Sequence, residues 1–286
     1  MCHCGNLINT WNITNISPTR GMKPNLNFLK LKGVDIFQQL IVEEFLMRKS
    51  SKNWYIFNHG IKIPQIVLGF SGKVKELVDT NLVKLDNIPL IKRFTGGGTV
   101  IVDKSTIFGT FIMNESDADT PPYPREIMKW STEFYANSFK IKNQDLTLNE
   151  HDYCIGDLKI GGNAQAIIKS RWCHHTSFLW DYDIKNMQYL LMPKKRPEYR
   201  RDREHESFLD KIKNHVSSVD VLEEDVRQYL SKLYVVKDTK MDDNLMIDPS
   251  TTSARDILLS LGYPDSELVF DRPLIRTKYI TTDDER

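Results

Sequence analysis

The sequence predicts an α+β fold, with a mixed or largely antiparallel β-sheet flanked by helices. Strand-like apolar runs crowd the centre of the chain, between residues 88 and 113 and again between 153 and 180. Helical spacing interrupts them only occasionally, after Asp35 and around Arg125. From Asp183 onward the pattern becomes more helical and more charged. Strand blocks broken by a few helices are the signature of this class.

Residues 1–24 are polar, contain Pro18 and Gly21, and read as an extension or leader. Folded sequence begins near Leu26–Leu31. Asp35 is placed to cap a helix in which Ile36, Phe37, Leu40, Ile41, Glu44 and Phe45 recur at helical spacing. Trp54–Phe57 and Gln65–Gly69 read as strands separated by the Gly60 and Pro64 turn region. Ile88–Phe94 and Thr99–Val102 flank three glycines, and Ile107–Met113 follows as another apolar strand. Pro121, Pro122 and Pro124 precede a helix expected from Arg125 to about Asn137. Short strands are expected at Tyr153–Ile155, Leu158–Ile160, Ala164–Ile168 and Phe178–Trp180, then one or two amphipathic helices within Ser207–Tyr234. The last stretch, 236–286, is an acidic tail with a short helix around Ala254–Leu261, and 25–235 is the expected main domain.

Composition narrows the class further. A chain of 286 residues with 40% hydrophobic and 27% charged residues suits one large globular domain and a small appendage. A net charge of +1 gives no global footprint for nucleic acid. No apolar run approaches the roughly 20 residues that cross a bilayer. Cys2, Cys4, Cys154 and Cys173 are too few and too irregular for a disulfide framework, so reduced thiols are expected. Asn12-Ile13-Thr14 matches a glycosylation acceptor by chance, with no apolar signal core ahead of it. The acid-poor, hydroxyl-rich leader suits mitochondrial import or a cytoplasmic extension, and a monomer is expected.

Three motifs carry chemistry. In Arg93-Phe94-Thr95-Gly96-Gly97-Gly98-Thr99, the glycines remove every Cβ where two strands meet, so backbone amides can approach a ligand; a bare hairpin turn would look the same. Arg93 is a permanent cation suited to phosphate or carboxylate. The Gly-Lys-Ser/Thr ending of a Walker loop is absent. The second motif runs from Glu150-His151-Asp152-Tyr153 through Lys159-Ile160-Gly161-Gly162-Asn163-Ala164. There Lys159 is a compact cation able to neutralise a developing oxyanion, and Asp152 offers oxygens to a hard cation such as magnesium. The third is Trp172-Cys173-His174-His175-Thr176-Ser177, where strand alternation pairs Cys173 with His175 rather than His174. Without a second Cys/His cluster at ligand spacing, zinc is not expected.

The ordered combination of Arg-x-x-Gly-Gly-Gly, Asp-x-x-x-Gly-x-x-Lys-Ile-x-Gly-x-Ala and His-His resembles the lipoate–protein ligase family, from about Phe28 to Arg203. Departures from the family pattern are Lys92, Thr95, His151, Gly161 and Thr176-Ser177, and Phe70-Ser71-Gly72 stands where polar ligand contacts are common. The resemblance implies a catalytic domain like that of biotin ligases. It also implies an acyl-adenylate route, in which lipoate or octanoate reacts with ATP and Mg2+ and a lysine of a carrier protein then takes the acyl group. Residue by residue, it implies that Lys159 is catalytic and that Gly96, Gly97 and Gly98 wrap the acyl chain and phosphate. Arg93, Thr95, Asp152, Gly162, Ala164 and His175 would complete the substrate and adenylate site, with Asp152 also at the metal. The implied partners are lipoyl domains of 2-oxoacid dehydrogenases or the glycine-cleavage carrier protein. The basic run Lys194-Lys195-Arg196 and Arg200-Arg201-Arg203 is a candidate docking patch, although acidic residues interleave it. The alternative is an ATP-independent octanoyltransferase or lipoyl amidotransferase, taking the group from an acyl-carrier thioester or an acylated carrier protein; the former is weakened because neither Cys154 nor Cys173 stands where its nucleophile is expected. A binding protein that has lost catalysis is a further one.

Overall fold

The computed structural model describes residues 22–141, 145–192, 197–239, 251–271 and 274–284. In chain order the elements open with β1 (Asn25–Lys30), α1 (Ile36–Lys49), β2 (Trp54–His59), β3 (Gln65–Leu68), α2 (Val74–Leu77), α3 (Thr80–Leu85), β4 (Leu90–Lys92), β5 (Thr99–Val102) and β6 (Thr106–Asn114). They continue with α4 (Glu115–Ala118), α5 (Pro124–Ser138), β7 (Leu146–Asn149), β8 (Asp152–Ile155), β9 (Leu158–Ile168) and β10 (Arg171–Leu179). After these come α6 (His205–Phe208), α7 (Val219–Leu233), β11 (Val235–Thr239), α8 (Ala254–Ser260) and β12 (Lys278–Ile280). Eight strands form one sheet in the order β11-β1-β2-β6-β10-β9-β8-β7, and four form a second in the order β12-β4-β3-β5. In the large sheet only the β1 pairings are parallel, with β2 and with β11; the rest is antiparallel. The fold is therefore α+β with a mixed, largely antiparallel sheet.

Each face of the large sheet is covered, which is why its strands read as continuous apolar runs rather than as clean alternation. On one face, α5 and α7 bury an aromatic-rich core that contains Tyr55, Phe111, Trp130, Phe134, Tyr135, Tyr153, Trp172 and Phe178. Phe111 is its hub, with ring centroids 4.6 Å from Tyr55 and 4.9 Å from both Trp130 and Phe134. On the other face, α1 and α8 pack Val42, Phe45, Leu46, Ile257 and Leu258 against Ile56, Ile112 and Cys173. As expected, the Asp35 carboxylate caps α1, accepting the Phe37 N–H at 2.8 Å.

Two expectations change. Leu158–Ile160 and Ala164–Ile168 belong to one eleven-residue strand rather than two. Gly161 does not break it, because that position is where the chain passes close to Phe178: an added Cβ would lie 2.7 Å from the Phe178 ring and 3.0 Å from the Ser177 carbonyl. The C-terminal stretch is not a detached tail either. β11 pairs with β1, and β12 pairs with β4 immediately before Arg93. Residues 1–21 of the expected leader, with Cys2 and Cys4, lie outside the described residues, as do Lys194, Lys195 and Arg196. Among the described residues no helix is long and apolar enough to cross a membrane.

Candidate active site

The triglycine loop links β4 to β5 and lies against the middle of β9. Gly97 has φ +88°, in the left-handed region, and a Cβ there would fall 2.8 Å from Arg93 Nη2 and 3.1 Å from the Ala164 Cβ. Gly69, at the end of β3, is needed for the same packing, since its Cβ would lie 2.2 Å from the Gly97 carbonyl oxygen. Among the described residues the amide N–H groups of Gly97 and Gly98 find no protein acceptor. Both glycines are exposed, so the loop presents two unpaired donors at a backbone bend suited to an anion.

Arg93 does not face that opening. Its side chain is buried and turned under the loop, with Nε and Nη2 donating to the Gly96 carbonyl at 3.1 and 2.8 Å, Nη2 to that of Gly98 at 2.8 Å and Nη1 to that of Val67 at 3.2 Å. Burial, partly offset by Glu43, pulls the guanidinium pKa down to about 10. The expected ligand contact is thus corrected: Arg93 fastens the loop's carbonyls, and this leaves its amides to point elsewhere.

Lys159 enters from the start of β9. Its ammonium lies 2.8 Å from Asp152 Oδ1, and its side chain keeps 25% exposure against 11% for Asp152. A Cβ at Gly162 would stand 3.6 Å from Lys159 Nζ, so glycine there leaves the lysine room to lie across the strand. Gly162 and Ala164 share one face of β9, two residues and about 7 Å apart. Lys159, Gly162, Ala164 and Gly97 therefore form one row, with the ammonium at one end and the free amides at the other. The second oxygen of Asp152 accepts a hydrogen bond from Tyr199 Oη at 2.9 Å. With Lys159 on one oxygen and Tyr199 on the other, Asp152 serves here as the lysine's counter-ion.

Thr95 and His175 are brought together, but toward each other. Thr95 is fully buried, and its Oγ1 lies 3.1 Å from His175 Nε2. His175 Nδ1 is 3.0 Å from Glu43 Oε2 of α1, a residue that helical spacing alone did not single out. Glu43 Oε1 accepts from Gln39 Nε2 and Thr110 Oγ1, each at 2.7 Å. His175 sits within β10, and Cys173 shares its face, as alternation requires. Glu43, Cys173 and His175 are the one trio among the described residues whose ligand atoms all lie within 4.8 Å of one another. Burial and the charges of Glu43 and Glu44 hold the Cys173 thiol well above its usual range. Burial likewise raises Cys154, whose sulfur lies 3.4 Å from Tyr199 Oη, so neither thiol is poised as a nucleophile. His174 faces the aromatic core, where burial lowers its pKa to about 3.

Within the described part of the basic run, Arg201 is exposed, whereas Arg200 and Arg203 pack against the fold. Arg200 is buried with its guanidinium 4.8 Å from the Phe208 ring centroid, and Arg203 stacks there at 5.2 Å. Arg203 also donates to the carbonyls of Tyr199 and Asp157, at 2.8 and 3.1 Å. These arginines hold Tyr199 against the Lys159 hairpin instead of lining a docking face.

The model of the lipoyl protein ligase A/B catalytic domain matches residues 35–233, which span every residue of this site. The chain belongs to that family. A Plasmodium falciparum relative named an inactive lipoate–protein ligase 2 is 31% identical over 260 residues, covering 71% of this chain and 67% of the relative. A lipoate–protein ligase A solved with ATP shares the fold at a TM-score of 0.63 and 18% identity, over 84% of this chain and 94% of that one. A bipartite Thermoplasma acidophilum ligase, from a study of that ligase and its E2 lipoyl domain, matches at a TM-score of 0.63 and 20% identity, over 90% and 98%. The chain spans two thirds of the Plasmodium relative and under half of several other curated ligases it matches. Within the family's catalytic domain, the triglycine loop and the β9 lysine fall in the expected order, and the structure adds Glu43 and Tyr199 as their supports. Glu43 and Glu44 did leave a signal, as two adjacent acids inside an apolar helix; Tyr199 left none.

Proposed function

We propose that this chain transfers a lipoyl or octanoyl group from an acyl-adenylate to a lysine of a carrier domain. One observation carries the reading: a partly exposed ammonium, Lys159, stands in one row with the two unpaired amides of the triglycine loop. The row offers a cation at one end and two N–H donors at the other, which suits the carbonyl and phosphate oxygens of an acyl-adenylate. In the transfer step the carrier lysine's neutral amine forms a C–N bond to the acyl carbonyl. The bond from that carbon to the phosphate oxygen breaks, AMP leaves, and the amine sheds one proton. Negative charge passes through the carbonyl oxygen to the phosphate. Lys159 neutralises it and the Gly97 and Gly98 N–H groups donate to it, without moving during the reaction. When the lysine turns from Asp152 to the substrate oxygens, Tyr199 continues to donate to the carboxylate.

ATP is the co-substrate that would make the adenylate in a full ligase. Asp152 is engaged by Lys159 and Tyr199, which supports the reading in which the chain acts on a preformed adenylate. The carrier partner follows from the family and from the solved relative studied with an E2 lipoyl domain. The test is to incubate the purified chain with a lipoyl domain and either lipoyl-AMP or lipoate with ATP and Mg2+, and to weigh the domain by mass spectrometry. Acylation from lipoyl-AMP alone is the expected result. No acylation from either donor would overturn the reading.

A further inference from the structure

A buried carboxylate that accepts hydrogen bonds from three side chains fixes more than its own position. Glu43 is fully buried on α1, and its two oxygens can only accept. One takes Gln39 and Thr110, and the other takes His175 Nδ1. In the neutral ring this places the proton on Nδ1 and leaves Nε2 to accept the Thr95 hydroxyl. Thr95 is the residue on which the triglycine loop turns: its carbonyl accepts the Phe70 N–H at 2.9 Å, and the next amide, Gly96, donates to Gln165 O at 3.4 Å. Glu43 and Thr95 are fully buried and His175 keeps 14% side-chain exposure, so the relay ties the loop to α1 from beneath.

We infer that Glu43 is a positioning residue for the acyl-adenylate site, acting through His175 on Thr95 and so on the amides of Gly97 and Gly98. The inference rests on the proposed function. Its chemical signature is specific. Glutamine at position 43 offers one acceptor oxygen and one NH2 donor, so it cannot accept from Gln39, Thr110 and a protonated Nδ1 together. The cheapest rearrangement keeps the oxygen on Gln39 and Thr110 and turns the NH2 to His175. The ring proton then moves to Nε2, and Thr95 must become an acceptor.

The test uses the full chain, 15N-labelled histidine and a hydrolysis-resistant lipoyl-adenylate analogue. Glu43→Gln should move the His175 ring proton from Nδ1 to Nε2 in the imidazole 15N spectrum and weaken the analogue about tenfold, as loss of one hydrogen bond from a charged partner implies. Thr95→Val should weaken it equally, Thr95→Ser should restore it, and the Glu43→Gln/Thr95→Val pair should be no worse than either alone. Wild-type affinity within twofold in both single variants, or an unmoved proton, would reduce the relay to core packing. Should Glu43→Gln not fold, Thr95→Val, which deletes one hydroxyl at nearly constant shape, decides the matter by itself. If the wild-type chain did not bind the analogue, the acyl-adenylate reading would fall, and this inference with it.

Discussion

Replacing Lys159 with alanine should have two separable effects. The first is kinetic. Removing one preorganised partner of a developing oxyanion typically costs about 3–4 kcal/mol, so carrier acylation from lipoyl-AMP should slow by about 10²–10³-fold. The second is structural and comes from Asp152, only 11% exposed, which would lose the ammonium 2.8 Å away and keep Tyr199 as its partner. An under-satisfied, largely buried carboxylate costs about 1–3 kcal/mol, here toward the low end because Tyr199 remains. In a domain of this size each kcal/mol lowers Tm by about 2–4 °C, so the variant should melt a few degrees early. Adding Asp152→Asn removes the stranded charge. The double variant should recover most of the melting temperature and none of the activity. Single-turnover acylation followed by mass spectrometry, with thermal melts at matched pH, measures both arms. Activity of Lys159→Ala within a few-fold of wild type would refute the lysine's role. Recovery of activity in the double variant would show that the ion pair, and not the ammonium, is what matters.

Gly97→Val should weaken the adenylate analogue at least tenfold by calorimetry and lower Tm, since valine would be held at a left-handed φ with its Cβ against the Arg93 guanidinium. Phe111→Ala should cost about 3–5 kcal/mol in urea unfolding, because the ring is fully buried among Tyr55, Trp130 and Phe134. His174 stays neutral in the fold with a pKa near 3 against 6.5 for the free group, so its share of stability is whole above about pH 6.5 and drains away as pH falls toward 3. Urea midpoints of His174→Gln should therefore change less than wild type between pH 7 and pH 4.5; parallel profiles would contradict that. Peptide-resolved alkylation at pH 8 should leave Cys154 and Cys173 unmodified in the native chain and label both in urea, burial having raised both thiols.

What the sequence disclosed and what it withheld divide along a physical line. Periodicity reports burial, so α1, α5 and the strands beside the triglycine loop were legible from their apolar spacing. The three glycines and Lys159 were legible because their chemistry is local: a missing Cβ and a lone ammonium mean something wherever the chain goes. Arg93 was placed but its direction was not, since a guanidinium serves an anionic ligand or a set of carbonyls equally well until the loop's path is known. Tyr199 and the stacking of Arg200 and Arg203 on Phe208 depend on which hairpin the 198–208 segment packs against, and no spacing encodes that. β12 was missed because three residues carry too little pattern to separate a strand from a coil.

The two adjacent acids of α1 explain why the C-terminal segment and the site belong to one unit. Successive helical residues point about 100° apart, so Glu43 and Glu44 address different neighbours from one turn. Glu43 faces His175 and the loop. Glu44 accepts Arg48 at 2.7 Å and, through its other oxygen, the N–H groups of Arg276 and Thr277 and the Thr277 hydroxyl, each at 2.9 Å. That clamp delivers the chain to β12, which pairs with β4 at Lys92, one residue before Arg93. The same turn of helix thus fixes the loop from its Thr95 side and the strand that leads into it from the other. A loop built from glycines has little stiffness of its own, and a cradle for an adenylate must be stiff to act as one. Its rigidity is supplied from outside by Arg93 beneath, His175 beside and the β12 edge behind, and two of those three trace back to carboxylates buried in α1.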